Sequence, residues 1–184
     1  MNRLRLHDLA SAPDGSKPLL EGVQKKFGRV PNLFGLMANS PGVLKGYLDL
    51  GADLASTGLP AKLRELIAVY VAAWNECDYC FAAHTAAAKR FHYTDEQLQA
   101  LLRGEVDDAR FAAGIRFVRR LLETHGGVSE EDVLTVRAAG YDDAGIAELV
   151  AATAAQFYSN FMNRAIDTVV DFPDPGFPAK VVQA

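Results

Sequence analysis

The segment PAKLRELIAVYVAAWN, residues 60–75, constrains the fold more than any other stretch of the chain. Pro60 stands where a helix opens, and Leu63, Leu66, Ile67, Tyr70, Val71 and Trp74 follow at three- and four-residue spacing. That period belongs to a helix with one buried face. Its uninterrupted apolar run, Leu66 to Trp74, is nine residues long, far short of the roughly 18 that a membrane span needs. It is the core helix of a globular protein.

The same punctuation recurs along the chain. Ser40-Pro41 is an N-cap followed by proline at the first helical position, and Gly58 closes that helix. Thr94-x-x-Gln97 is a capping-box pattern, closed by Gly104. A helix from about Asp107 to His125 ends at Gly126-Gly127. Ser129 caps another that stops at Gly140, and a long helix runs from about Asp143 to Val169. The tail FPDPGFP is too rich in proline to be helical. No alternating strand or hairpin dipeptide separates the apolar runs. The fold class is therefore all-α, with about eight helices in a single compact domain over residues 1–184. Glu65-Leu66-Ile67-Ala68 echoes Glu148-Leu149-Val150-Ala151, an offset that sets Cys77 and Cys80 on Asn160 and Asn163 and suggests a degenerate two-fold repeat.

Composition narrows the function. Hydrophobic residues make up 49% of the 184 residues and charged residues 23%, and the net charge is −4 without a Lys/Arg block. Nucleic acid is not an expected partner, since its binding needs clustered cations. The first residues, MNRLRLHDLASAPDG, carry positive charge but no apolar core, so no secretory signal is read and the expected location is the cytoplasm. There, a CxxC pair reads as catalytic or metal-binding rather than as a structural staple.

Both cysteines of the chain lie in NECDYCFAAH, residues 75–84. Asn75 and Glu76 read as the break after the Pro60 helix. The next helix then starts near Cys77, with Cys80 in its first turn and His84 one turn further on the same face. Free N–H groups and the positive end of the helix dipole stabilise a thiolate there. His84 can take the Cys80 proton or, as imidazolium, stabilise its sulfur. A two-cysteine redox cycle follows: Cys80 attacks an oxidant such as a peroxide and becomes a sulfenic acid, Cys77 condenses with it to a disulfide, and an outside dithiol restores the pair. Two other readings compete. Buried cysteines can serve as small hydrophobes. Cys77, Cys80 and His84, with His92 or a carboxylate, could instead ligate zinc and staple a helical interaction module.

ELIAVYVAAWNECDYCFAAH resembles the core motif of the AhpD-like alkylhydroperoxidases, in the carboxymuconolactone decarboxylase superfamily. That motif is a Glu, eleven residues, CxxC, three residues and a His, and here it reads Glu65, Cys77, Cys80, His84. VPNLFGLMANSPGVLKGYLDL and FYSNFMNRAIDTV resemble the flanks of the peroxidase-related branch. The likeness spans a core of about residues 30–170, leaving 171–184 as a Pro-rich tail. The resemblance implies an all-helical homo-oligomer, trimer or hexamer, without a metal or bound organic cofactor. It implies Cys80 as peroxide-reacting thiol, Cys77 as resolving thiol, and Glu65 and His84 as proton relay. The implied reductant is an external dithiol such as a dihydrolipoamide protein. Burial beside the cysteines would raise the Glu65 pKa toward neutrality. Asn160, Asn163 and Arg164 are expected to support the site or the oligomer contact, and Trp74, Tyr70, Phe157 and Phe161 to be core.

One departure stands out. AhpD enzymes carry a histidine just before the second cysteine, where this chain has Tyr79. A phenol, with a reference pKa near 10, is a poor proton carrier at pH 7. The relay then runs from Glu65 to Cys80 through water or His84. The alternatives to a peroxidase are a general thiol–disulfide oxidoreductase or redox sensor, and a lactone decarboxylase of the superfamily's other branch, which does not depend on a CxxC pair.

Overall fold

The computed structural model describes residues 2–179 and Val181. Among the described residues there are nine α-helices and no strand: α1 (Lys17–Phe27), α2 (Asn32–Met37), α3 (Pro41–Ala55), α4 (Ala61–Trp74), α5 (Asp78–Arg90), α6 (Asp95–Leu102), α7 (Ala109–Glu123), α8 (Glu130–Ala138) and α9 (Asp143–Ile166). The all-α expectation holds, with nine helices where about eight were expected. The strong period of residues 60–75 has a direct structural result: α4 is the central helix, packed against α5, α9, α6 and α7. Leu63, Ile67, Tyr70 and Val71 are fully buried, and each of the three aliphatic side chains contributes roughly 1.5–3 kcal/mol of burial free energy.

The capping signals act as written. Thr94 and Gln97 form a reciprocal capping box at α6, and Ser129 with Asp132 does the same at α8. Gly104 and Gly140 take positive φ just beyond those helices, where a side chain would meet its own backbone. Two boundaries differ from expectation. Ser40 occupies the N-cap of α3 but makes no side-chain cap bond, so Pro41 alone pre-sets that start, and α3 stops at Ala55 rather than at Gly58. The α9 helix ends at Ile166, not Val169, because Asp167 adopts a left-handed conformation at φ 58°. The Thr168 N–H then closes the turn on the Asn163 carbonyl at 3.0 Å.

The two-fold echo does not survive as a fold repeat. The first copy breaks into α4 and α5, whereas the second runs through one uninterrupted helix, α9. Phe161 is also not core: it is 60% exposed, with Phe157 half-buried against its edge. The α9 face that meets α4 and α5 carries Asn160 and Asn163, both buried, and a turn of helix places Phe161 away from it. Trp74 is half-buried and Tyr70 fully buried.

The Pro-rich segment after α9 folds back toward the start of α5. Arg29 pairs with Asp171, and the Asn32 backbone N–H donates to the Asp171 carboxylate at 3.0 Å. Phe172 meets Tyr79 edge-on at 5.5 Å, and Phe177 meets Phe81 at 5.6 Å. Among the described residues no helix is long and apolar enough to cross a membrane.

Candidate active site

The site begins at the break between α4 and α5. Asn75 and Glu76 interrupt the helix, with Glu76 in the left-handed region at φ 52°. The α9 helix holds this break in place. Asn75 Nδ2 donates to Asn160 Oδ1 at 2.9 Å, and Arg164 donates to the Asn75 carbonyl at 2.6 Å. The chain re-enters helix with Cys77 as the N-cap of α5, its sulfur accepting the Cys80 N–H at 3.4 Å. The sequence placed the break and the cysteines at these positions. It left open what the polar residues of α9 do.

The two sulfurs differ in their surroundings. Cys77 and Cys80 are free thiols, 1% and 3% exposed. Cys80 Sγ accepts a hydrogen bond from Asn163 Nδ2 at 3.1 Å. Burial alone would raise the Cys80 pKa, but the Cys77 thiol, the His84 charge and the Asn163 and Asn160 amides outweigh it and bring it down to about 7. Cys77 moves the other way. Its hydrogen bond to Cys80, then burial, then the charge on Cys80 push its thiol well above the ordinary range. Its single backbone donor, at 3.4 Å, is the weaker supply. Of the two, Cys80 is the sulfur whose surroundings favour the thiolate.

His84 lies one turn beyond Cys80, and its Nδ1 donates to Glu65 Oε2 at 2.8 Å. Burial lowers the His84 pKa, but the charge and hydrogen bond of Glu65 and the charge of Cys80 raise it on balance. With Nδ1 engaged, Nε2 is the ring nitrogen left to give or take a proton. Glu65 is less buried than expected: about a quarter of its side chain is exposed, and its carboxylate meets the imidazole. Tyr79 borders this site, but its hydroxyl points elsewhere. Its hydroxyl accepts the Leu33 N–H of α2 at 3.2 Å, and burial, more than any other cause, pushes its pKa up.

Cys80, His84, Glu65 and Asn163 line one cavity of about 280 Å³. Its walls are apolar, from Leu33, Phe34, Tyr47 and Phe172, and Lys26 and Arg90 line it too. Cys77 does not line it. Tyr47 and Ser159 belong to this cavity and were not singled out from the sequence. Burial and then the charge of Cys80 raise the Tyr47 phenol to about 12, against a hydrogen bond with Ser159 that lowers it. Tyr47 stands within a quoted flanking segment, GYLDL, but no local pattern ties it to a cysteine in another helix. The zinc reading needed Cys77, Cys80, His84 and a fourth ligand to converge. Among the described residues no group of three or more His, Cys, Asp or Glu side chains is placed to hold a metal ion.

Residues 41–124 match the family model of the carboxymuconolactone decarboxylase family. A peroxidase-related protein from Ralstonia eutropha, described as an alkylhydroperoxidase AhpD core, is 26% identical, with TM-score 0.83 over 99% of this chain and 98% of that one. An uncharacterized peroxidase-related protein from Silicibacter sp. is 24% identical, with TM-score 0.81 over 97% and 96% of the two chains. The debrominase Bmp8, solved as an alanine-for-cysteine variant with 2,3,4-tribromopyrrole, is 19% identical, with TM-score 0.77 over 94% and 92%. These last two likenesses show the fold alone. No curated protein matches the chain. Residues 41–124 are thus similar to the carboxymuconolactone decarboxylase family, and the helical architecture around them is similar to that of an AhpD-like protein.

Proposed function

We propose that the protein is a thiol-dependent peroxidase that reduces alkyl hydroperoxides or hydrogen peroxide. The observation that carries this reading is the Cys80 sulfur, favoured as thiolate and lining an apolar cavity with a Glu65-linked imidazole. The Cys80 thiolate attacks the terminal peroxide oxygen. The O–O bond breaks, the sulfur becomes a sulfenic acid, and the alkoxide takes a proton from His84. Glu65 holds the imidazole in the orientation and charge state that this transfer needs. Cys77 then attacks the oxidised sulfur, water leaves, and the Cys77–Cys80 disulfide forms. An external dithiol returns the pair to its reduced state. No bound cofactor enters this cycle, and the chain acts in the cytoplasm as a homo-oligomer.

Intact mass tests the cycle. Reduced protein is exposed to a slight excess of alkyl hydroperoxide as wild type, Cys77→Ser and Cys80→Ser. The expected result is loss of two hydrogens in wild type, oxygen adducts in Cys77→Ser, and little reaction in Cys80→Ser. If hydroperoxides leave wild type unchanged while a small disulfide oxidises it, the protein is a thiol–disulfide oxidoreductase or sensor. Turnover of a brominated pyrrole without peroxide turnover would make it a debrominase, as Bmp8 is named.

A further inference from the structure

The two cysteines line different cavities. Cys80 lines the apolar one described above. Cys77 lines a second cavity of about 330 Å³, walled by Glu76, Asp78, Asn163, Arg164, Asp167 and Thr168. Asn163 and Tyr79 border both and form the partition. The chemistry of the two openings differs as well. Lys26 and Arg90 flank the Cys80 side, where the one carboxylate, Glu65, is hydrogen-bonded to His84. Three carboxylates and one guanidinium flank the Cys77 side, and that guanidinium, on Arg164, already pairs with Glu76 at 3.8 Å.

The geometry points to a reductive half-reaction that enters by the second cavity: the electron-donor thiolate attacks Cys77, and its immediate surroundings are neutral or cationic. This rests on the two-thiol cycle proposed above. Thiol–disulfide exchange is an in-line displacement, so the attacking sulfur approaches one disulfide sulfur from the side away from the other. A cavity lined by Cys77 and not by Cys80 supplies that approach. A new S–S bond forms between donor and Cys77, the Cys77–Cys80 bond breaks, and the electron pair leaves on Cys80. Cys80 is also the better leaving group, because its pKa lies below that of Cys77. The donor's second thiol loses its proton to solvent and attacks the donor's own bound sulfur. Cys77 leaves and regains a proton, and the donor departs as a disulfide, oxidised by two electrons. The oxidant and the reductant thus use separate entrances, so bound alcohol product does not block the donor.

Diamide converts the reduced full-length protein to the disulfide without any peroxide. The oxidised protein is then mixed with cysteamine or with 3-mercaptopropionate, and the freed thiol is alkylated with iodoacetamide. Fragmentation of the peptide spanning residues 65–89 locates both marks. The expected result is the mixed disulfide on Cys77 and the alkyl group on Cys80. Compared per thiolate, cysteamine should react about fivefold faster at 0.1 M salt, a gap that narrows with added salt and in Glu76→Gln. A mixed disulfide on Cys80, or a preference for the anionic thiol, assigns attack to the Lys26/Arg90 side and overturns the route while leaving the cycle standing. Failure of diamide to form the disulfide overturns both.

Discussion

Asn163→Ala removes the amide that donates to Cys80 Sγ at 3.1 Å. A hydrogen bond to a charged acceptor contributes about 1.5–3 kcal/mol, and one pKa unit corresponds to about 1.4 kcal/mol. The Cys80 pKa, now about 7, should therefore rise by about 1–2 units. With a rise of about 1.5 units the thiolate fraction at pH 7 falls roughly 16-fold, while each remaining thiolate becomes roughly fivefold more nucleophilic. Net alkylation by iodoacetamide at pH 7 should slow only about three- to fourfold, and at pH 10 the variant should be the faster protein. The two pH–rate profiles should cross near pH ~8. Asn163→Asp is the isosteric control: it replaces donor by acceptor and adds a like charge, so its midpoint should rise further. Matched thermal melts separate this electrostatic effect from a loss of structure. A variant whose midpoint stays within about 0.3 units of wild type, or whose profile never crosses it, would refute the assignment of Asn163 as a thiolate donor.

Four further outcomes follow from the same geometry. Folding depresses the Cys80 pKa from 9.0 to about 7, so its contribution is full above pH 9 and lost as pH falls through 7. In urea titrations, reduced wild type should gain up to roughly 2–3 kcal/mol over Cys80→Ser between pH 7 and 9, and a flat difference refutes the shift. Glu65→Gln withdraws the charge that raises His84. Its peroxide turnover should drop roughly 10–100-fold, with the alkaline limb of the pH profile moving to lower pH; an unmoved limb would count against His84 as the proton donor. Tyr79→His should not raise turnover, because that side chain reaches Leu33 rather than the Glu65–His84 pair. Tyr79→Phe should cost about 1 kcal/mol and lower the melting temperature by about 2–4 °C.

Local punctuation was readable in the sequence, and long-range placement was not. Thr94 with Gln97, and the Asn75-Glu76 break before Cys77, are local chemistry, and the structure realises each of them. The α2 helix is six residues, NLFGLM, whose apolar run has no period to read. The end of α9 depends on Asp167 entering the left-handed region, which aspartate tolerates without announcing it. Phe157 and Phe161 lie one turn apart with Asn160 between them, and the pattern alone cannot say which face of an Ala-rich helix turns inward. The structure turns the asparagines inward. Tyr47 and Ser159 join the Cys80 cavity from helices distant in sequence, and only tertiary packing brings them there.

The asymmetry of the CxxC pair follows from how a helix starts. Its first N–H groups have no intrahelical partners, and a cysteine at the N-cap can offer its sulfur to one of them. Cys77 does so, and its sulfur faces the Cys80 backbone rather than the charged side chains of the site. Three positions later the helix has turned nearly once, so Cys80 projects from the same end toward α9 and α4. There Asn163 reaches its sulfur, and His84 joins it from the next turn under the hold of Glu65. Exchanging the roles would need these donors moved to the other side of the helix end, since Asn163 and His84 both converge on Cys80. The same division explains why a nearly buried thiolate is tolerable. Burial of an unpaired charge costs several kcal/mol, and here a thiol, two amides and an imidazolium face it. Removing one donor should shift the titration, as argued for Asn163. Removing His84 and Asn163 together should return Cys80 to an ordinary or raised pKa, because burial would then be the dominant influence left.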